Sequence, residues 1–107
     1  MIIPSEVKVW MRTFKVEEVD QEGFKTKARA GDFLEGEVWW AGRTIHILKD
    51  LEPGEKGVTF FHELTHIADE LAGSQLSEAK IKGVSQILYF ILEENNLLAE
   101  PQKDIKK

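Results

Sequence analysis

His62, Glu63 and His66 stand in the run His-Glu-Leu-Thr-His. On an α-helix, residues four apart lie one turn above each other on one face, so both imidazoles can reach a single metal ion. Glu63 is then set to one side, where its carboxylate can take a proton from metal-bound water. Hydrolysis at a zinc ion is the chemistry this spacing implies. The surrounding residues fit a helix: Phe60, Leu64, Ile67 and Leu71 recur at helical spacing as an apolar stripe, and both histidines lie off it. Histidines buried for structural reasons would sit among those apolar residues instead. Pro53, Gly54 and Gly57 mark the entry to the helix, and Gly73 can end it in the left-handed conformation. The plain alternative is a helix whose His and Glu decorate a solvated surface.

A zinc site open to water needs a third protein ligand. The chain has no cysteine, which excludes the Cys-ligated zinc hydrolases. Glu78 opens a second segment in which Ile81, Val84, Leu88 and Ile91 recur at helical spacing, and it falls on the side that continues through Ile81, Ser85, Leu88 and Leu92. A carboxylate on an inward stripe requires a partner, and the metal is the obvious one. In the plainer reading, Ser77 caps the helix and Glu78 favours its positive end; cap and ligand are compatible. Asp69, one turn beyond His66, is either a hydrogen-bond acceptor for that imidazole or a solvated helix charge. His46 lies in the alternating run Thr44 to Leu48, which reads as a strand whose polar residues face solvent or a neighbouring strand. Nothing local brings His46 or Tyr89 to the metal.

With these residues the chain resembles the gluzincins, zinc peptidases with a His-Glu-x-x-His helix and a glutamate from a later helix as third ligand, and among them the small single-domain minigluzincins. The run from Glu37 to His46 is similar to the family's hairpin ahead of that helix, whose first strand forms the upper rim of the cleft. The resemblance covers most of residues 35 to 95 and rests chiefly on the helix motif. It implies that His62, His66 and Glu78 hold Zn²⁺, that Glu63 is the general base, and that the substrate is a peptide or protein. It also implies a latency role for the C-terminal segment, residues 95 to 107, lying extended in the cleft. There Asn95 and Asn96 weaken helical preference and Pro101 interrupts any restart, so a frayed, solvated tail is the alternative.

The elements that must position these residues can be read around them. Val7 to Arg12 alternates like a strand and Gly23 to Arg29 does so more weakly, with the charged stretch Glu17 to Gly23 read as a turn between them. Glu37 to Trp40 and Thr44 to Leu48 form a hairpin, with Trp39 and Trp40 on opposite sides, one in the core and one lining a cleft. The expected fold is α+β: a small, mainly antiparallel sheet followed by two long helices carrying the zinc site, in a single domain over residues 1 to 107. An edge strand near Gly36 to Ala41 would hold an extended peptide by main-chain hydrogen bonds.

A net charge of −5 with interspersed Lys and Glu leaves no basic stripe for nucleic acid. The longest apolar run, Ile87 to Leu92, is far short of the roughly 20 residues that span a bilayer, so no membrane span is expected. That run is apolar around the whole helix, which points to deep burial or to a second subunit in a homodimer. Without cysteine or a signal-like N-terminus, a soluble, cytoplasmic protein is the default expectation. The competing function is a zinc-stabilised interaction or peptide-binding module without turnover, for which Glu63 would be dispensable.

Overall fold

A computed structural model describes residues 1–26 and 33–98 of the chain. Over these residues the order is β1 (Glu6–Val9), β2 (Arg12–Val19), β3 (Gly36–Trp39), β4 (Thr44–Leu48), α1 (Pro53–Ala72) and α2 (Glu78–Glu94). The strands form one sheet in the order β1-β2-β4-β3. Outer pairs β1/β2 and β3/β4 are antiparallel while β2 and β4 run parallel, so the sheet of this α+β fold is mixed.

The β3–β4 hairpin lies where alternation and the Gly42 turn require it, with Glu37 opposite His46 and Val38 opposite Ile45. The first half of the sheet departs from expectation. Strand β1 stops at Val9, because Trp10 takes a left-handed φ of 62° and with Met11 makes a tight turn into β2. Alternation alone does not reveal that turn, since Trp10 and Met11 carry strand-like side chains and are nonetheless exposed. Glu17 to Val19, expected in a turn, belong to β2 and pair with His46 to Leu48 of β4. Their acidic side chains are accommodated: Glu18 reaches Lys56 of α1 at 2.6 Å, and Glu17 lies beside His46. Gly23 closes a short 3-10 turn, and Phe24 to Thr26 are not a strand. In place of a strand partner, the Lys25 and Thr26 backbone N–H groups donate to the Glu37 carboxylate at 2.7 and 2.9 Å. The rest of that expected strand, from residue 27 onward, lies outside the described residues.

Phe14 and Val16 of β2, Ile45 and Ile47 of β4, and Phe60 and Ile67 of α1 form the core between sheet and helix, with Leu64 and Leu71 packed against it. The apolar stripe read from α1 is therefore the face it buries. Pro53 occupies the first helical turn, where its missing N–H is no loss, and the Glu55 carboxylate accepts from the Glu52 N–H. Gly73, at φ 67°, ends the helix and donates its N–H to the Asp69 and Glu70 carbonyls.

Helix α2 rests on α1 through Ile81, Ser85 and Tyr89. The inward stripe thus runs through Tyr89, whereas Leu88, expected inward, is exposed. Close packing of the helices depends on Gly57: a Cβ there would stand 2.5 Å from the Tyr89 hydroxyl oxygen. Helix α2 ends at Glu94, and Asn96 takes a left-handed φ of 59°, as the two asparagines suggested. Residues 99–107, most of the expected latency segment, lie outside the described residues. Among the described residues no helix is long and apolar enough to cross a membrane.

Candidate metal centre

His62 and His66 project from the middle of α1 with their Nε2 atoms 3.2 Å apart. Glu78, the first residue of α2, brings Oε2 to 2.8 Å from His62 Nε2 and Oε1 to 3.0 Å from His66 Nε2. One ligand atom from each of the three residues lies within 4.8 Å of the others, and the group could hold a metal ion. Two half-buried imidazoles and one exposed carboxylate are a donor set that suits a divalent cation.

The short link between the helices sets this geometry. Gly73 reverses the chain, Gln75 takes a left-handed φ of 58°, and the Asp69 carboxylate accepts the Leu76 N–H at 2.9 Å. Ser77 then caps α2 by accepting the Lys80 N–H at 3.2 Å. Asp69 accordingly braces the link; as a partner for His66 it is not used, because its carboxylate points along the chain toward Leu76. Ser77 as cap and Glu78 as a member of the triad hold together.

Glu63 is the buried member of the motif, 6% exposed. Strand β3 runs against it: a Cβ on Gly36 would stand 2.9 Å from Glu63 Oε2 and 2.6 Å from the Thr59 methyl, so only glycine fits without a shift. Burial pushes the Glu63 carboxyl up to about 8, and the negative charges of Glu78 and Glu37 add to the rise. Burial also holds the His62 imidazole below the ordinary histidine value; Glu78 opposes that shift, while His66 and Lys82 reinforce it. A dication in the triad would draw the Glu63 carboxyl back toward its charged form, since an adjacent positive charge offsets desolvation.

Beside the triad opens a cleft of about 360 Å³. Its walls are Leu34 to Gly36 on one side, Val58, Thr59, His62 and Glu63 on the floor, and Glu78, Lys82, Ser85 and Gln86 on the other. Strand β3 is an edge of the sheet. Neither tryptophan of the hairpin is among the residues lining this cleft. Trp40 packs edge-on to Phe14, and Trp39 stacks over His46 with the Lys25 ammonium 4.5 Å from its ring.

His46 lies on the sheet face opposite the core residues Ile45 and Ile47. It is buried, with Nδ1 2.6 Å from Glu37 Oε2, and belongs to a cross-strand row with Glu17 and Glu37 away from the triad. Tyr89 is buried against Gly57 and Phe61, and burial, reinforced by Glu93, raises its phenol above the ordinary value. Several cleft residues were not singled out from the sequence, and the contact of Gly36 with Glu63 was not foreseen. Lys82 was detectable, since it follows Glu78 by one helical turn and must share its face; Gly36 carries no local signal, because its role depends on α1 packing against β3. The chain matches no protein-family model, and no curated protein or solved structure matches it significantly.

Proposed function

We propose that the protein is a zinc metallopeptidase of minigluzincin type, with His62, His66 and Glu78 holding Zn²⁺ and Glu63 acting as general base. Zinc binds imidazole nitrogen at about 2.0–2.1 Å, and tetrahedral ligands at that distance stand roughly 3.3 Å from each other. The 3.2 Å between the two Nε2 atoms is close to that value. Among the described residues the group supplies three ligands and borders an open cleft, as a site for turnover requires, whereas structural zinc sites are closed by four protein ligands. Zinc held there would supply Lewis-acid polarisation of a peptide carbonyl and a water of lowered pKa.

The protein's own groups supply the rest. Glu63 takes the proton of the attacking water and delivers it to the leaving nitrogen. Contact with the β3 backbone at Gly36 restricts the carboxylate, which keeps it aimed at the cleft. Among the described residues the outer edge of β3 has no strand partner and offers main-chain N–H and C=O groups to an extended peptide, and Lys82 and Gln86 on the opposite wall meet its side chains. The C-terminal segment, residues 95 to 107, is proposed to compete for the same edge in a latent form.

The observation that carries this reading is the burial of Glu63. An ionisable carboxyl held out of water is costly, and a site that only stabilised the fold would gain nothing from it. Zinc-loaded Glu63→Gln tests it against wild type on unfolded protein and peptide mixtures. The variant should keep one equivalent of zinc and the wild-type circular dichroism while losing hydrolysis. Equal hydrolysis by both proteins would refute the general-base role, and zinc-loaded proteins that cleave nothing with or without residues 97–107 would favour the binding module.

A further inference from the structure

We infer that the outer face of α2 is a homodimer interface in which a second copy of this chain packs antiparallel to the first about a two-fold axis near Ile87. Helix α2 is apolar on two opposite faces. One buries Ile81, Ser85 and Tyr89 on α1. The other presents Val84, Ile87 and Ile91, at 55%, 59% and 50% exposure, flanked by Leu76 and Leu88, and forms a shallow apolar trough. Among the described residues nothing covers this apolar stripe, and on so small a protein it calls for a partner.

Two features of the stripe identify that partner as another copy. The first is charge: Lys80 and Glu94 stand at its two ends, each seven residues from Ile87, and both are exposed. Antiparallel pairing about Ile87 sets Lys80 of each copy beside Glu94 of the other, whereas parallel pairing would set like charges together. The second is Gly83, in the middle of an exposed helix, where it costs about 1 kcal/mol relative to alanine. Among the described residues nothing explains it, since a Cβ there would meet nothing within 4 Å. In the antiparallel pair, Gly83 lies at the level of the partner's Ile91, four residues to either side of Ile87, and its missing side chain lets the backbones approach. The stripe is thus complementary to itself, as a two-fold interface requires. Residues 99–107 are a poor cover, because Ile105 is their one large apolar side chain. Glu78, Lys82, Ser85 and Gln86 lie on other sides of α2, so the dimer leaves the cleft open.

Sedimentation equilibrium of the full chain from about 1 µM to about 300 µM should show the mass rising from 12.2 kDa toward twice that value, with a dissociation constant on the order of micromolar for a contact near the lower limit of specific interfaces. Ile87→Glu should weaken association at least about a hundredfold by placing unpaired charges at the axis, without altering the fold of this exposed position. Lys80→Glu and Glu94→Lys should each weaken it about three- to tenfold, and the double exchange should restore it. That restoration is specific to the antiparallel arrangement. A chain monomeric at every concentration, a dimer indifferent to Ile87→Glu, or a double exchange no better than the single ones would each overturn the inference. A monomer that instead co-sediments with phosphatidylcholine vesicles would assign the face to a lipid surface.

Discussion

Replacing Glu78 with alanine separates a metal ligand from a surface charge. The Glu78 side chain is 65% exposed, and its contacts to His62 and His66 are those of a solvent-screened pair. In chelator-treated protein its loss should therefore change stability by less than about 1 kcal/mol. With metal the outcome should differ, because among the described residues an ion held by the triad would join α1 to α2 only through this carboxylate. Free zinc at a hundredfold excess over the dissociation constant stabilises the native state by about 2.7 kcal/mol. A domain of this size gains roughly 4–8 °C in Tm per kcal/mol, so the wild-type shift is on the order of 10–20 °C. Loss of a ligand weakens affinity at least about tenfold. At the same free zinc the variant then gains no more than about 1.4 kcal/mol, roughly half the wild-type shift. Differential scanning calorimetry in a buffered zinc series reads both values. His62→Ala and His66→Ala should abolish stoichiometric zinc and with it the shift. Equal zinc-induced shifts in wild type and Glu78→Ala would show that the third ligand lies elsewhere.

Gly36→Ala should cost about 1–3 kcal/mol through overpacking against Thr59 and Glu63 and lower turnover about a hundredfold by displacing the carboxylate, with zinc affinity unchanged; a variant as active as wild type would remove Gly36 from the site. Burial alone would raise the Glu37 carboxyl, but hydrogen bonds from the Lys25 and Thr26 backbone and from His46 outweigh it and hold the carboxyl below its usual range. Such a group stabilises the fold fully above its unfolded value of about 4.3 and loses that contribution as pH falls through the lower folded value. Urea unfolding should accordingly find Glu37→Gln less stable than wild type at neutral pH, with the gap closing below about pH 4; a constant gap would refute the coupling. Deleting residues 97–107 should raise peptidase activity or affinity for a zinc-chelating peptide inhibitor, and a folded, zinc-loaded truncation with no gain in either would exclude latency through that segment.

The triad was legible because its signal is local. His62 and His66 lie within one turn, Glu78 follows a link bounded by Gly73 and Ser77, and helix geometry converts those spacings into positions. The hairpin and both helices were legible for the same reason. What escaped depends on contacts distant in sequence. The acidic end of β2 is a strand because β4 pairs with it and Lys56 neutralises Glu18. Lys25 and Thr26 leave the strand pattern because Glu37 captures their backbone N–H groups, while the Phe24 N–H turns back to the Gln21 carbonyl. Leu88 was expected on the inward stripe, and Tyr89 is buried instead, against the space left by Gly57.

The short brace between α1 and α2 has a kinetic consequence. All three members of the triad lie between residues 62 and 78 on a helical hairpin closed by Asp69, so the metal site proposed there would be assembled from contacts of low sequence separation. Such contacts form early in folding, because little loop-closure entropy opposes them. The dry environment of Glu63 requires the sheet as well, since Gly36 of β3 has to dock on α1 first. On the proposed function, metal capture and the shielding of Glu63 would therefore be separate events in the life of the chain. Zinc should accelerate refolding from denaturant in proportion to its concentration, and Gly36→Ala should leave that acceleration intact. If the triad holds zinc as proposed, a nascent chain would be loaded with the ion before the Glu63 carboxylate beside it is shielded from water.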